Sequence, residues 1–259
     1  MPSPDPEPMP RRPEPELMDE PAQATAYAAA DFAATDRLVV DRFAEILTTL
    51  TPGRCPDRLV DLGCGPGNIS FLLAEQYPEA HVVGLDGAEA MLAIARERLD
   101  SRENLSATGD NARPASTGGA RASDRRFGGN LEFRHLVLPC ADLESPDLVQ
   151  ACDAVLSNSL LHHLHDPAVL WHTVRQLSAP GATVVYIKDL RRPESAAAAE
   201  DLLHRHLGQA PEVLQRDYLA SLHAAFRPDE VEAQLLQAGL TGLRVAPLDD
   251  RYLEIWGQL

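Results

Sequence analysis

The sequence predicts an α/β fold: a doubly wound, mostly parallel sheet of seven strands with an antiparallel last strand and helices on both faces. Three observations lead to this prediction. Apolar runs typical of buried strands alternate with helix-like segments from Arg58 onward. A glycine-rich turn at residues 63–67 joins the first of these runs to a helix. Two strand-like runs end the chain without a helix between them, so the last strand should be antiparallel.

Two kinds of segment precede the first strand. Residues 1–20 contain seven prolines and no hydrophobic periodicity, so we expect a disordered tail. Residues 23–32 and 36–50 have the spacing of helices with one apolar face. A chain of 259 residues can bury one substantial core, and we therefore expect a single domain over residues 21–259.

The first strand, residues 58–62, is followed by a turn with glycine at alternate positions and then by a helix over residues 68–76. Glycine has no Cβ and adopts positive φ, so the chain can turn tightly and a ligand can lie against bare backbone. The spacing does not suit a dinucleotide, because a G-x-G-x-x-G pattern would need glycine where Asn68 or Ser70 stands. Pro66 also lacks an N–H that could bind pyrophosphate.

Two acidic residues complete this pattern. Asp61 precedes the glycines, where it would repel a phosphate and attract a cationic ammonium group. The second apolar run, residues 81–85, ends in Asp86, whose carboxylate can accept hydrogen bonds from both hydroxyls of a ribose. The expected ligand has a ribose, a cationic amino-acid end and no phosphate. S-adenosylmethionine has these three properties.

In these residues the chain resembles the class I S-adenosylmethionine-dependent methyltransferases, whose first motif is an acidic residue followed by G-x-G-x-G. Residues 61–67 match this motif, and residues 84–92 are similar to the family's second strand and the helix after it. The resemblance covers about residues 36–259 and implies a Rossmann-like fold with S-adenosylmethionine as the cofactor. The residues that would bind the cofactor are Asp61, Gly63, Cys64, Gly65, Gly67, Asp86, Gly87, Met91, Asp142 and Asn158.

Two of these residues are expected at the adenine. The family often has an acidic residue directly after its third strand, which we place at residues 131–138, and Asp142 stands a little later than that. Met91, in a helix expected over residues 90–99, would lie against the adenine face or pack in the core.

An insertion separates that helix from the third strand. Residues 101–129 contain five glycines, five arginines and no apolar pattern, so we expect them to be disordered. A helix antiparallel to the second strand ends at the amino edge of the sheet, whereas ligands bind outside its carboxyl edge. The insertion should therefore lie opposite the site.

The fourth strand, residues 154–157, ends in a second informative stretch. Asn158 would lie beside the sulfonium, and residues 161–167 resemble the L-H-H-L-x-D-P stretch of small-molecule methyltransferases akin to those of quinone biosynthesis. His162 and His163 are candidate general bases, because an imidazole accepts a proton near neutral pH. Packing or positioning is the alternative role for either histidine.

A metal site is a further alternative for the same stretch, formed by His162, His163, His165 and Asp166. The element there should be a loop with a short turn, and a sulfonium needs no Lewis acid. We therefore expect no metal.

The fifth strand, residues 182–187, leads to charged residues at the same edge of the sheet. Asp189 would orient the nucleophile, and Arg191 or Arg192 would hold an anionic group. The alternative is a structural ion pair. Lys188 is the only lysine of the chain, which we attribute to coding bias.

The remaining elements are helices over residues 168–177, 195–207, 212–225 and 229–238 and closing strands at 243–246 and 252–256.

Composition limits the partners. The net charge of −16 disfavours nucleic acid and anionic membranes as partners. The four cysteines show no C-x-x-C spacing, the N-terminus has no apolar signal core, and no apolar stretch reaches membrane-spanning length. We expect a cytoplasmic protein.

The function expected from these features is transfer of a methyl group from S-adenosylmethionine to a small-molecule acceptor. Two alternatives stay open. A catalytically silent S-adenosylmethionine-binding partner subunit would keep the glycine turn, and a nicotinamide-dependent dehydrogenase would need the third glycine that Asn68 replaces.

Overall fold

The computed structural model describes residues 9–15, 17, 19–109, 129–138 and 146–259. Helices and strands alternate along most of this length, as the sequence predicts. The helices are α1 Pro21–Ala29, α2 Ala33–Leu50, α3 Asn68–Gln76, α4 Glu89–Gly109, α5 Ala168–Leu177, α6 Ala196–Leu207, α7 Glu212–Ala224 and α8 Pro228–Gln237, with a short 3₁₀ helix at Leu161–His163. The strands are β1 Arg58–Leu62, β2 His81–Asp86, β3 Leu131–His135, β4 Ala154–Asn158, β5 Val184–Leu190, β6 Leu243–Pro247 and β7 Tyr252–Gln258.

The seven strands form one sheet in the order β3-β2-β1-β4-β5-β7-β6. Neighbouring strands are parallel except that β7 runs antiparallel to both β5 and β6. This confirms the predicted fold. The strand order reverses between β1 and β4, and the crevice at the carboxyl ends of these two strands is where ligands bind in open α/β sheets.

Hydrophobic cores cover both faces of the sheet, because successive residues of a strand point to opposite sides. Leu59 of β1 belongs to the cluster that α2 and α3 cover, together with Phe43. Val60, the next residue, belongs to the cluster that α5 and α8 cover, together with Trp171. Among the described residues, no helix combines the length and the apolar character needed to cross a membrane.

The N-terminal segment, residues 9–15, packs against the domain, so the expectation of a disordered tail is wrong for these residues. The N–H of Met9 donates to the carbonyl of Glu194 at 3.2 Å, and the N–H of Arg12 donates to that of His223 at 2.9 Å. An extended segment bound in this way needs no hydrophobic periodicity, and its prolines reduce the entropy lost on ordering. Residues 1–8, 16 and 18 lie outside the described residues.

Helix α4 continues ten residues beyond its predicted end at Leu99, to Gly109, so disorder is also the wrong expectation for residues 101–109. This stretch contains no proline, and Arg102 binds it to α3. The guanidinium of Arg102 lies 3.2 Å from Glu75 Oε1 and 4.4 Å from the centre of the Phe71 ring. The rest of the predicted insertion, residues 110–128, lies outside the described part of the chain.

Candidate active site

A cavity of about 410 Å³ opens at the carboxyl ends of β1, β2, β4 and β5, a volume in the range of small-molecule sites. The glycine turn and Asp86 line one end, and Asn158 and Lys188 line the other. Residues from α1, α2 and α7 close it from above. The cavity therefore joins the two stretches that the sequence singled out.

The glycine turn is fixed to β2 and leaves space at one residue. The N–H groups of Gly63 and Cys64 donate to the carbonyl of Leu85 at 2.8 and 3.0 Å. At Gly65, where φ is +53°, a Cβ would meet no atom within 4 Å. At Gly67, where φ is +83°, a Cβ would lie 2.6 Å from the Phe133 ring. Gly65 thus offers bare backbone to a ligand, whereas Gly67 permits close packing.

Asp86 lies at the end of β2, and backbone N–H groups orient both of its carboxylate oxygens. Its Oδ2 accepts from the N–H of Gly65 and its Oδ1 from that of Ala88, both at 2.7 Å. Each oxygen keeps a further lone pair that a ribose hydroxyl can use. Burial raises the pKa of Asp86, and the two N–H groups counteract this effect. The predicted role of Asp86 fits this geometry.

Residues that come after Asp86 in the chain form the apolar side of the cofactor end. Gly87 leaves room for Leu17, which would lie 2.9 Å from a Cβ placed there. Met91 is buried with Ala24 of α1 and Ala88, and it lines the cavity. Asp142, the acidic residue expected at the adenine, lies outside the described residues.

Two further carboxylates lie beneath the glycine turn. Asp61 is buried and accepts from the Ser70 hydroxyl at 2.6 Å, and burial raises its pKa to about 7. Asp36 of α2, which the sequence analysis missed, accepts from the Asn68 amide at 3.1 Å. Both line the cavity, where a cationic ammonium group would stabilise their charges.

Arg98 connects the glycine turn to the N-terminal helices. Its guanidinium donates to the carbonyl of Pro66 at 3.1 Å, to Oδ1 of Asn68 at 2.8 Å and to the carbonyl of Ala28 in α1 at 2.8 Å. These bonds hold α1 over the cofactor end. Arg98 therefore anchors α1 to the glycine turn.

The end of β4 turns sharply into the acceptor end of the cavity. Asn158 is paired in register with Lys188 of β5, and its Oδ1 is buried without a hydrogen-bond partner. Ser159 has φ of +59°, a conformation that costs a non-glycine residue energy and is concentrated at functional sites. A buried oxygen that has no hydrogen-bond partner among the described residues indicates that a ligand group binds there in the cavity.

The pKa values of the two candidate bases are shifted in opposite directions. Nδ1 of His162 lies 2.5 Å from Oδ1 of the buried Asp189, whose Oδ2 accepts from the N–H of Leu161 at 2.7 Å. Burial lowers the pKa of His162, but the carboxylates of Asp189 and Glu14 outweigh it and the pKa is raised. Burial and the charge of His162 lower the pKa of His163. His162 is therefore suited to carry charge, and His163 to stay neutral.

Asp189 is a positioning residue in this arrangement. It does not line the cavity, and its two oxygens hold His162 and the 3₁₀ helix. Arg191 donates to backbone carbonyls of the β6–β7 turn, and Arg192 pairs with Glu230 of α8. The structure thus agrees with the structural alternative for the two arginines.

A carboxylate from the N-terminal segment faces the histidine pair. Oε1 of Glu14 lies 3.6 Å from Nε2 of His162 and 3.3 Å from Nδ1 of His163, and it accepts from the Ser221 hydroxyl at 3.0 Å. The ligand atoms of Glu14, His162 and His163 lie within 4.8 Å of one another, close enough to hold a metal ion. The metal set considered from sequence is not assembled, because His165 binds the backbone of Glu14 and Asp166 caps α5.

Lys188 is the cation at the acceptor end. It is buried on β5 with Nζ 3.6 Å from the centre of the Tyr252 ring, and it lines the cavity. Burial lowers its pKa to about 8. Coding bias explains why the chain has so few lysines, but it does not explain this position. A single buried lysine was a signal that the sequence analysis missed.

These residues satisfy the requirements of S-adenosylmethionine. The turn supplies open backbone at Gly65, Asp86 supplies acceptors for a ribose, and the carboxylates of Asp36 and Asp61 suit an ammonium group. Asn158 supplies a buried oxygen without a partner. The arrangement therefore suits a nucleoside with a cationic amino-acid end, and Asn158 and Lys188 line the part of the cavity beyond it.

Comparison with known proteins agrees with this interpretation. A family described as "Methyltransferase domain" matches residues 32–244. The chain is 29% identical over 208 residues to the trans-aconitate 2-methyltransferase of Streptomyces coelicolor, covering 77% of this chain and 58% of that protein. It is 69% identical over 42 residues to the enzyme of the same name from Variovorax paradoxus, covering 16% of each. The chain thus spans less than two thirds of the length of these relatives.

Solved structures show the same fold. The plantazolicin methyltransferase BpumL in complex with a monoazolic desmethylPZN analog and SAH has a TM-score of 0.61 at 16% identity, covering 91% of this chain and 88% of that one. A SAM-dependent methyltransferase from Aquifex aeolicus has a TM-score of 0.56 at 15% identity, covering 92% and 98%. With the family match over most of its length, the chain belongs to the class I S-adenosylmethionine-dependent methyltransferases.

Proposed function

We propose that this chain transfers the methyl group of S-adenosylmethionine to a carboxylate oxygen of a small polycarboxylic acid. When bound, S-adenosylmethionine supplies a methyl group on positively charged sulfur, and its transfer to a carboxylate oxygen leaves a neutral thioether and a methyl ester. The acceptor oxygen is already ionised at neutral pH, so this reaction needs no general base. The raised pKa of His162, which disfavours its use as a general base, is compatible with such chemistry.

The observation that carries the proposal is the position of Lys188. The cavity is lined by the carboxylates of Asp36, Asp61 and Asp86, which suit the cofactor and repel an anionic acceptor. At the acceptor end, the buried ammonium of Lys188 lies on the strand beside Asn158 and supplies a positive charge to the cavity wall. Among the described residues, no carboxylate forms an ion pair with this ammonium, and a buried cation in that situation favours an anionic ligand group.

The names of the relatives supply independent support. Those from S. coelicolor and V. paradoxus are named for trans-aconitate, an acid with three carboxylates, and not for a quinone precursor. We therefore place the acceptor of this chain among small polycarboxylates rather than among the acceptors that the fourth-strand stretch suggested.

The protein's own contribution is alignment and exclusion of water. Lys188 would hold the acceptor carboxylate, and the Asn158 amide would fix its angle of approach. Helices α1, α2 and α7 cover the cavity and keep water from the reacting atoms. Tyr252, stacked beneath the Lys188 ammonium, keeps that side chain in place.

A labelling experiment tests the proposal. The purified chain is incubated with S-adenosylmethionine carrying a labelled methyl group and with trans-aconitate, citrate, a phenol or a primary amine. We expect label in the polycarboxylate only, as a product from which mild alkali releases methanol. Labelling of the amine or phenol alone would contradict the proposal. Cofactor binding without transfer to any acceptor would instead favour the silent partner subunit.

A further inference from the structure

The side chains of His162, His163 and Ser221 surround the carboxylate of Glu14 at the wall of the cavity. We infer that these three side chains form a second carboxylate subsite of the acceptor pocket, and that Glu14 fills it in this structure. The inference rests on the proposed function, because it requires an acceptor with more than one carboxylate. It names where the second carboxylate binds.

Glu14 is seated in this subsite as a carboxylate ligand would be. The Ser221 hydroxyl donates to its Oε1 at 3.0 Å, and the same oxygen lies 3.3 Å from Nδ1 of His163 and 3.6 Å from Nε2 of His162. Its side chain is 11% exposed. One oxygen therefore faces two donors from two different elements, Nε2 of His162 in the 3₁₀ helix and the Ser221 hydroxyl of α7, while the His163 ring packs beside it.

The positive charge of the subsite is built into the fold. The buried carboxylate of Asp189 binds Nδ1 of His162 and leaves Nε2 directed at Glu14. The carboxylates of Asp189 and Glu14, on either side of His162, raise the pKa of this imidazole and so favour its protonated form. Asp189 stays in place when Glu14 leaves, and a ligand carboxylate would restore the second negative charge that favours this form, whereas a neutral ligand would not.

Glu14 is an imperfect ligand for this subsite. Charge-assisted N–H···O bonds are typically about 2.7 to 2.9 Å long, whereas its oxygen lies 3.3 and 3.6 Å from the two imidazole nitrogens. Burial raises the pKa of Glu14, so holding its charge there costs free energy. A carboxylate on a free molecule can approach Nε2 of His162 more closely, which lets it displace Glu14.

The N-terminal segment is bound in a way that permits displacement of Glu14 without unfolding. Nε of Arg11 donates to the carbonyl of Ala224, and its Nη2 donates to those of His162 and Leu164. Its guanidinium also lies 4.0 Å from the centre of the Phe226 ring. These contacts are independent of the Glu14 side chain, so a rotation of that side chain opens the subsite while the segment stays bound.

Lys188 and the side chains that contact the Glu14 carboxylate, those of His162, His163 and Ser221, line one cavity. Lys188 and Asp189 are adjacent on β5, and Asp189 holds His162, so a single strand sets the separation between the reacting position and the subsite. A polycarboxylate would place one group on Lys188 for methylation and a second group on His162 and Ser221. A monocarboxylate would gain only the first contact.

The experiment measures binding of trans-aconitate by calorimetry in the presence of S-adenosylhomocysteine, so that no reaction occurs, and with EDTA in the buffer. The variants are Glu14→Gln and, as a matched control, Glu20→Gln, which makes the same charge change at an exposed residue near the segment. Removing the competing carboxylate should lower the Kd of trans-aconitate about tenfold in Glu14→Gln and leave it unchanged in Glu20→Gln. Adding Ser221→Ala to Glu14→Gln should weaken binding about fivefold.

Three results would overturn the inference. Glu14→Gln could bind trans-aconitate no more tightly than Glu20→Gln, or Ser221→Ala could leave the affinity of Glu14→Gln unchanged. Binding that requires added zinc, in buffer without EDTA, and is lost in Glu14→Gln would assign Glu14, His162 and His163 to a metal instead.

Failure of the inference and failure of the proposed function give different results. If wild-type protein methylates trans-aconitate with a KM that Glu14→Gln does not change, the function stands and the subsite is refuted. If Glu14→Gln binds trans-aconitate more tightly but no variant methylates it, the subsite stands and the proposed acceptor is refuted.

Discussion

The cofactor end and the acceptor end of the cavity are assembled in different ways. Most of the cofactor end comes from one continuous βαβ unit. In this unit, Asp86 lies 21 residues after Gly65 of the glycine turn. The acceptor end combines Glu14, His162, Lys188 and Ser221, so a single contact joins residues 207 positions apart. A local motif fixes the cofactor end, whereas the acceptor end exists only after the whole chain has folded. Mutations at the two ends should therefore separate cofactor affinity from acceptor affinity.

The largest effect is expected at Gly65. A valine side chain there would fill the space that faces the cofactor, and Gly65→Val should raise the Kd of S-adenosylhomocysteine by about 100-fold or more. Calorimetry measures this change. The matched control is Gly53→Val, because Gly53 also has positive φ and open space around a Cβ but lies in the exposed α2–β1 loop. If both variants lose the same amount of cofactor affinity, backbone strain is the cause, and the result contradicts a specific role of Gly65 at the cofactor end.

Asp86 should give the next largest effect. Asp86→Ala removes a charged acceptor and should weaken cofactor binding by about 1 to 3 kcal/mol without changing the KM of the acceptor when cofactor is saturating. Asp57→Ala, at an exposed carboxylate before β1, is the control. An unchanged cofactor Kd in Asp86→Ala would remove this residue from the site.

Lys188 tests the acceptor end. Lys188→Met should raise the KM of the acceptor about tenfold while cofactor affinity survives. Because burial lowers the pKa of Lys188 to about 8, the ammonium is present below that pH and is lost as pH rises through it. The wild-type KM should therefore rise above about pH 8, and that of Lys188→Met should not. Arg244→Met, an exposed cation on β6, is the control, and a pH-independent wild-type KM would contradict this role.

The smallest effect is expected from residues 110–128. Their ends, Gly109 and Gly129, lie before β3 at the amino edge of the sheet, away from the cavity. Replacing them with a short Gly-Ser linker should change the free energy of unfolding by less than about 1 kcal/mol and leave both affinities intact. Thermal unfolding and calorimetry measure these quantities. A larger loss of stability or of either affinity would show that the cavity also depends on residues 110–128.

The same contrast explains which features sequence analysis could recover. The glycine turn and Asp86 form a short motif whose spacing carries chemical meaning, and the alternation of strands and helices determines the sheet. Glu14 gave no such signal, because it stands in a proline-rich segment without periodicity and its partners come from the fourth strand's exit and from α7. The pairing of Asp189 with His162 was likewise hidden, since it depends on the register of β4 and β5. Local pattern predicts the elements, and long-range packing decides which side chains meet.

The position of Lys188 has a practical consequence. A chain of 259 residues with one lysine has one ε-amine, and here that amine lies inside the pocket, above an aromatic ring. Reductive dimethylation with ¹³C-formaldehyde would thus introduce one side-chain probe for NMR, without mutagenesis. Its chemical shift would respond to the ring beneath it, to protonation and to an arriving anion. Labelled in this way, the protein would carry a spectroscopic reporter at the end of the cavity that Lys188 and Asn158 line.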